Sequence, residues 1–237
     1  MSWSTPIPVA RADAATRGDY LLKVTALTAG GLAIAAASSV ASSIVLATVP
    51  ALWSGWMPFI VIMGLFAVNN FIARPMALGT AKVPGFLLGM VVQGLAMGFL
   101  LLTAMFVSGA AFGNPLVLIG LAMGLTFFAM LGLGAYTFLR PRDFSMLGAG
   151  LSALSIPMLI LMVATFAFPG LIGGTAGIVL SGIFVVVSIG AVLYQLDQVI
   201  HRLSSDMHCE GAYLIASGIL TLFWNILSLL MRLTRRN

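Results

Sequence analysis

Charged side chains are scarce in this chain of 237 residues. Only 7% of its residues are Asp, Glu, Lys or Arg, against about 25% in an average soluble domain. In contrast, 61% are hydrophobic, and the mean hydropathy is +1.13. A soluble protein of this length would have too few polar side chains to cover its surface. We therefore expect the chain to lie in a lipid bilayer.

The few charges divide most of the chain into four long uncharged blocks. These blocks are residues 24–73, 83–139, 144–196 and 211–231. Because a membrane-spanning helix needs about 20 apolar residues, the first three blocks hold two spans each and the last holds one. Pro50, Asn114-Pro115 and Pro169-Gly170 lie near the middles of the long blocks and mark turns. The sequence predicts an all-α bundle of seven transmembrane helices, at about 24–47, 54–73, 84–107, 115–139, 145–168, 172–195 and 212–231.

Lys and Arg are confined to one set of loops. The N-terminal segment and the even-numbered loops carry eight of them, namely Arg11, Arg17, Lys23, Arg74, Lys82, Arg140, Arg142 and Arg202. The first, third and fifth loops carry none, so the positive-inside rule predicts a multi-pass inner (cytoplasmic) membrane protein with a cytoplasmic N-terminus. The C-terminal Arg232, Arg235 and Arg236 are the exception. Seven spans put them outside, whereas a last segment that enters the bilayer and returns would put them inside.

One ionisable residue, Asp197, is expected at membrane depth, at the cytoplasmic end of the sixth span. If the helix continues, His201 four residues later lies on the same face, and the pair could sense protons. The alternative is an ordinary surface pair at a helix end that reaches interfacial water. Neutral polar residues in the spans could be hydrogen-bonding links between helices: Asn69, Asn70, Gln93, Gln195 and Asn225.

Residues for catalysis or metal binding are nearly absent. Both histidines, His201 and His208, lie in or beside the sixth loop, so no base is available at membrane depth. The lone Cys209 cannot form an internal disulfide, and no Cys/His spacing fits a zinc site. Lys23 and Lys82 lie at helix ends, which excludes a retinal-binding lysine inside the bundle. We predict a protein that is not an enzyme and that has no cofactor, no metal site and no nucleic-acid partner.

Glycines at four-residue spacing predict close helix packing. Such pairs occur at 85 and 89, 94 and 98, 120 and 124, and 170 and 174, and the pentapeptide Gly-Leu-Ala-Met-Gly occurs at both 94–98 and 120–124. Small residues at this spacing let helices approach closely in lipid. We interpret them as contacts inside one monomer, with a dimer interface as the alternative.

The fourth loop and the last two helices resemble one family. The segment Arg142, Asp143, Phe144, Ser145, Met146, Leu147, Gly148 resembles the Arg-Asp-Phe-Ser-x-Leu-Gly segment of the Bax inhibitor-1/YccA family, also called the transmembrane BAX inhibitor motif family. The stretch 190–201, with Tyr194, resembles the family's sixth helix, and 225–232 resembles its last helix. The resemblance covers about residues 18–233. It implies a Bax inhibitor-1-like fold with six helices around a central one.

The resemblance also implies a function, but two of the expected residues differ. In family members that act as pH-sensitive calcium leaks, one acid directly follows the sixth-helix Tyr, and a second lies three residues before the last-helix Asn. This chain has Gln195 and Leu222 at those positions. Asp197 is two residues further on, about 200° around an α-helix, so it cannot replace the missing acid without a local change in the helix. Without two carboxylates, a shared-proton gate and a calcium site have little chemical basis.

The leading hypothesis is nevertheless a pH-sensitive cation (calcium) leak or transporter with cytoplasmic gating. Its gating or ion-pathway candidates are Asp197, Gln195, Arg74, His201 and Asn225. In this hypothesis Arg74 could form an electrostatic latch to Asp197.

The alternative is a non-conducting interaction protein that modulates a membrane-anchored AAA protease or a membrane stress response. In a bacterial branch of the family the protease grasps the N-terminal tail. Residues 1–18 are expected to be a flexible cytoplasmic tail, either such a handle or a mere leader. Residues 19–233 then form the transmembrane domain, and 234–237 form a short C-terminal tail.

Overall fold

Six long helices make up most of the described chain. The structure, a computed structural model, describes residues 9, 12–79, 81–139, 144, 147–154, 157, 160–161 and 174–235. The long helices are α1 (Ala14–Thr48), α2 (Met57–Ala77), α3 (Lys82–Phe112), α4 (Val117–Leu139), α5 (Gly174–Asp197) and α6 (His208–Thr234). All six are long and apolar enough to cross a membrane. The predicted class, an all-α membrane protein, is therefore confirmed.

The turns between helices fall at the predicted breakers. α1 ends at Thr48, just before a short 3₁₀ turn over Pro50–Trp53. α3 ends at Phe112 and is capped by Gly113, whose φ of 68° is left-handed and therefore suits glycine. Asn114-Pro115 follows. The fifth predicted span, 145–168, and the break at Pro169-Gly170 lie largely outside the described residues.

Helices α1, α3 and α6 begin at the same end of the bundle. The Tyr20 hydroxyl of α1 lies 2.7 Å from where a side chain on Gly211, near the start of α6, would begin. Lys82, the first residue of α3, forms an ion pair with Glu210 of α6. Residues from the end of α5 reach the same place, since Val199 also lies beside Gly211. We call this end the charged end.

The short helical stretch 147–154 lies against the C-terminal half of α5. Leu147 and Leu151 lie beside Gly190, toward the C-terminal end of α5. α5 begins at Gly174, and at 1.5 Å per residue that start lies about 24 Å from Gly190.

The last helix lies against most of the others. α6 contacts α1, α3, α4 and α5. Its core residues Leu222, Ile226 and Leu227 belong to a buried apolar cluster that also includes residues of α3, α4 and α5, among them Met97, Leu100, Leu118, Ala122, Val192 and Leu196. Its 27 residues form one unbroken helix, about 40 Å long. A re-entrant segment would need a reversal between residues 212 and 231, and none occurs there.

Identical glycine motifs have different surroundings. In the first Gly-Leu-Ala-Met-Gly, a side chain at Gly94 would collide with the carbonyl of Ala35, and one at Gly98 would collide with Ser42. In the second copy, no atom lies within 4 Å of the side-chain position of Gly120 or Gly124. The four-residue spacing of glycines therefore permits two helices to approach closely, but close contact occurs only where another helix packs against that face.

The first helix begins inside the segment predicted as a tail. Asp13 caps α1 by accepting hydrogen bonds from the Thr16 amide at 3.1 Å and from the Thr16 hydroxyl at 2.6 Å. These bonds hold the pKa of the Asp13 carboxyl below its ordinary value. Val9 is buried, and its amide donates to the carbonyl of Leu203 at 2.9 Å. Helix α1 thus begins at Ala14.

Candidate functional site

The end of α5 departs from α-helical geometry. After Asp197 the chain makes one π turn, Gln198–Arg202, in which the Leu203 amide donates to the Gln198 carbonyl at 2.9 Å. In a regular α-helix, a residue five positions on lies about 140° around the axis. A π turn has hydrogen bonds between residues five apart, so it brings such residues to nearly the same side. Asp197 and Arg202 therefore share a face.

The Asp197 carboxylate is buried and held at both oxygens. The residue is 2% exposed. Its Oδ1 lies 3.0 Å from His201 Nδ1, and its Oδ2 accepts from Arg202 Nε at 3.2 Å. The structure thus brings together Asp197 and His201, the two residues singled out from their four-residue spacing. Arg202 is an additional partner that an α-helical reading of the sequence misses.

Tyr194 joins this turn to the fourth-loop motif. Its hydroxyl accepts a hydrogen bond from Gln198 Nε2 at 2.9 Å, and the Arg202 guanidinium carbon lies 6.0 Å from the ring centre. Gly148 lies so close to the Tyr194 ring that a methyl group there would overlap it. The two stretches that resemble the family motifs are therefore in contact with each other.

The rest of the fourth-loop motif can be followed only in part. The Phe144 ring lies 6.4 Å from that of Tyr136 on α4. Arg142, Asp143 and Ser145 lie outside the described residues.

The two positions at which the resemblance expects acids are filled by neutral side chains. Gln195 of α5 packs against Gly218 of α6, where any side chain would collide with the Gln195 amide oxygen. That oxygen is buried and has no hydrogen-bond partner among the described residues. Leu222 is fully buried in the apolar cluster, and Asn225 lies partly buried one turn further along α6. α5 stays α-helical through Asp197, so Asp197 does not take the place of Gln195.

Arg74 and Asp197 are not brought together. Arg74 is exposed and follows a π turn, Asn69–Ala73, in α2. The described cationic partners of Asp197 are instead His201 and Arg202.

A neutral polar cluster links α2, α3 and α6. Asn69 Oδ1 accepts from Gln93 Nε2 at 3.3 Å and from the Tyr213 hydroxyl at 3.2 Å. Gln93 Nε2 also lies 2.9 Å from Ser217 Oγ, to which it donates. Asn69 and Gln93 therefore form hydrogen bonds between helices, as such residues do inside membrane bundles.

A second buried carboxylate, Glu210, lies at the charged end. It is 1% exposed, and its Oε1 lies 2.7 Å from Lys82 Nζ. Its Oε2 is buried without a hydrogen-bond partner among the described residues, and so is the Tyr20 hydroxyl. The last predicted span begins at residue 212, so Glu210 falls outside it, in the sixth loop. The available signal was that Glu210 directly precedes the fourth uncharged block, where a helix start is expected.

The charged end also holds Asp206, in the loop before α6. A hydrogen bond from Ser204 lowers the pKa of the Asp206 carboxyl, which keeps it ionised near neutral pH. Despite these acids, no three His, Cys, Asp or Glu side chains are grouped to hold a metal ion in the part of the chain that the structure describes.

Comparison with known proteins assigns a family. The model of the family described as "Inhibitor of apoptosis-promoting Bax1" matches residues 17–236. The chain is also 36% identical over 114 residues to the "Golgi anti-apoptotic protein" of Vaccinia virus strain Lister, and equally to those of strains LC16m0 and LC16m8. This alignment covers 46% of the chain and 45% of each viral protein, so the chain spans less than half the length of these relatives. Because the family match covers nearly the whole chain, this protein belongs to the Bax inhibitor family of membrane proteins.

Proposed function

We propose that this protein is a pH-sensitive cation leak, with calcium as the cation to test, gated at the turn that carries Asp197. The observation that carries the proposal is the buried Asp197 carboxylate, held by His201 and Arg202. Buried ionisable groups in membrane proteins are costly and commonly functional. π turns within helices also occur frequently at functional sites.

The gate would respond to pH through the charge of this trio. Histidine is the side chain that commonly changes charge between about pH 5 and 8. A neutral His201 leaves Arg202 as the cation that holds the Asp197 carboxylate, whereas a protonated His201 also carries a positive charge and competes with Arg202 for that carboxylate. We expect this competition to weaken the contact between Asp197 and Arg202, to loosen the π turn and to open the cytoplasmic end of the path.

We also propose seven spans, with six helices around the last one and a cytoplasmic N-terminus in the inner membrane. Support comes from the eight Lys and Arg residues in the N-terminal segment and even loops, against none in the odd loops. The shared direction of α1, α3 and α6 agrees with this arrangement. A reporter fused after Asn237 tests it, because seven spans place the reporter outside the cytoplasm.

Calcium efflux from liposomes tests the gating proposal. We expect protein-dependent efflux that rises several-fold when the pH is stepped from 8 to 6. In Asp197→Asn the carboxylate that holds the two cations is gone, so the response to pH should disappear. Asp19→Asn is a matched control, because Asp19 pairs with Lys23 at 2.7 Å in an exposed position on α1. The absence of protein-dependent efflux, or an unchanged pH response in Asp197→Asn, would contradict the proposal.

A second candidate function is that of a non-conducting protein that modulates a membrane-anchored AAA protease or a stress response. Leu222 favours it, because a leucine in the apolar cluster stands where the resemblance expects the second acid.

Deleting residues 2–8 tests the tail as a protease handle while keeping Val9 and the Asp13 cap. We expect slower turnover and weaker co-purification with the protease, because the grasped segment is gone. The unfolding temperature in detergent serves as the folding control and should not change. Unaltered turnover and association would contradict the handle mechanism.

A further inference from the structure

A cavity of about 780 Å³ lies between the C-terminal ends of α3 and α6. Its lining includes Phe106, Val107, Ala110 and Phe112 from α3 and Leu233 and Arg235 from the end of α6. Because α3 and α6 both begin at the charged end, the cavity lies at the opposite end of the bundle. It is therefore separate from Asp197 and from Glu210.

The wall of the cavity is apolar, with one cation at its rim. Phe106 and Phe112 are 69% and 51% exposed, and Leu233 is 43% exposed. Arg235 ends α6 and is also exposed. Such a combination suits a molecule with a hydrocarbon chain and a negatively charged head.

The surrounding helices supply no anion for Arg235. The chain has no Asp or Glu between Asp19 and Asp143 and none after Glu210, so α3 and α4 carry no acid. Glu210 lies 25 residues earlier on α6, about 37 Å away along the helix. The negative end of the helix dipole favours a cation here, but it supplies only a partial charge. An anionic ligand at Arg235 would therefore meet no competing acid from α3, α4 or the end of α6.

We propose that this cavity binds one anionic phospholipid, with its phosphate on Arg235 and an acyl chain along Phe106 and Val107. The cavity volume falls within the range of about 300–1,000 Å³ that ligand sites occupy. Basic pockets between transmembrane helices are known to hold anionic lipid head groups. The lipid thus supplies the counter-charge that α3, α4 and α6 lack.

The proposal also accounts for an irregularity in the charge pattern. With seven spans, Arg232, Arg235 and Arg236 lie outside, against the positive-inside rule. An anionic lipid in the outer leaflet would neutralise Arg235 there. The placement of the lipid in the outer leaflet depends on the proposed seven spans. The cavity and the positive charge of Arg235 at its rim do not depend on them.

Native mass spectrometry of the full-length protein in detergent tests the site. The probes are dioleoyl phosphatidylglycerol and dioleoyl phosphatidylcholine, which share acyl chains and differ in head-group charge. We expect the wild type to retain the anionic lipid at least ten-fold better than the zwitterionic one. Arg235→Gln should remove this preference. Arg17→Gln, which changes an exposed arginine on the first helix, is the matched control and should keep it.

A cavity-filling variant separates a lipid site from a simple surface charge. Ala110→Phe keeps Arg235 but fills the space that the acyl chain would occupy, so it should reduce retention of the anionic lipid at least five-fold. Ala110 is exposed, so the change should leave the unfolding temperature in detergent unaltered. Equal retention of both lipids by the wild type, an undiminished preference in Arg235→Gln, or full retention in Ala110→Phe would overturn the proposal.

Discussion

Two buried carboxylates, Asp197 and Glu210, meet their cations in different ways. Asp197 is held at both oxygens by His201 and Arg202, which lie on the next turn of the same helix. Glu210 is held at one oxygen by Lys82, which belongs to another helix and lies 128 positions earlier in the chain. Its second oxygen has no hydrogen-bond partner among the described residues.

This difference suggests different roles for the two acids. The partners of Asp197 are local, so its trio can rearrange without separating any two helices. The ion pair between Glu210 and Lys82 can form only while α3 and α6 are packed together. Its formation therefore depends on the assembled bundle. The proposed gate therefore lies at the Asp197 turn, whereas the Glu210 pair joins α3 to α6 at the charged end.

Breaking the Glu210 pair should have the largest effect on stability. Lys82→Met leaves a buried carboxylate without its cation, and such losses cost about 3 kcal/mol or more. We expect the free energy of unfolding in detergent to fall by about 3 kcal/mol, because Lys82 is itself partly exposed and this places the loss at the lower end of the range.

The double variant Lys82→Met, Glu210→Met distinguishes a lost cation from a general packing defect. Replacing both members of a buried pair by apolar residues is often nearly neutral, so most of the lost stability should return. If Lys82→Met alone is as stable as the wild type, or if the double variant recovers nothing, Glu210 does not act as a clamp.

Removing the unsatisfied hydroxyl beside Glu210 should have a much smaller effect. Tyr20 is 1% exposed, and its hydroxyl has no partner among the described residues. Tyr20→Phe keeps the ring and removes a buried polar group, so stability should stay within about 1 kcal/mol of the wild type or rise. Thermal unfolding in detergent measures this. A loss of more than about 2 kcal/mol would show that the hydroxyl has a partner, such as a buried water shared with Glu210.

Hydropathy located the six long helices that the structure describes, because a helix that crosses lipid needs a long apolar stretch and the charged residues separate such stretches. The spacing of Asp197 and His201 likewise suggested their contact, since residues four apart share an α-helical face. The role of Arg202 could not be read in this way, because it depends on a π turn that residue spacing does not reveal.

Contacts between helices that are distant in the chain could not be predicted from residue spacing either. Glu210 lies in a short polar stretch that reads as a loop, and its burial depends on α1 and α3 closing over the start of α6. The two identical pentapeptides at 94–98 and 120–124 make the same point, since only the first meets another helix closely. The periodicity of the sequence shows which residues share one face of a helix. Which other helix packs against that face is set by the three-dimensional fold.

Calcium efflux at pH 8 and at pH 6 tests the gating role of Asp197 most directly. Wild-type protein, Asp197→Asn and the Asp19→Asn control are compared in the same liposomes. A several-fold rise in efflux at pH 6 is expected for the wild type and the control, with no response to pH in Asp197→Asn. Efflux that is absent from the wild type, or that responds to pH equally in Asp197→Asn, would contradict a gate at this turn.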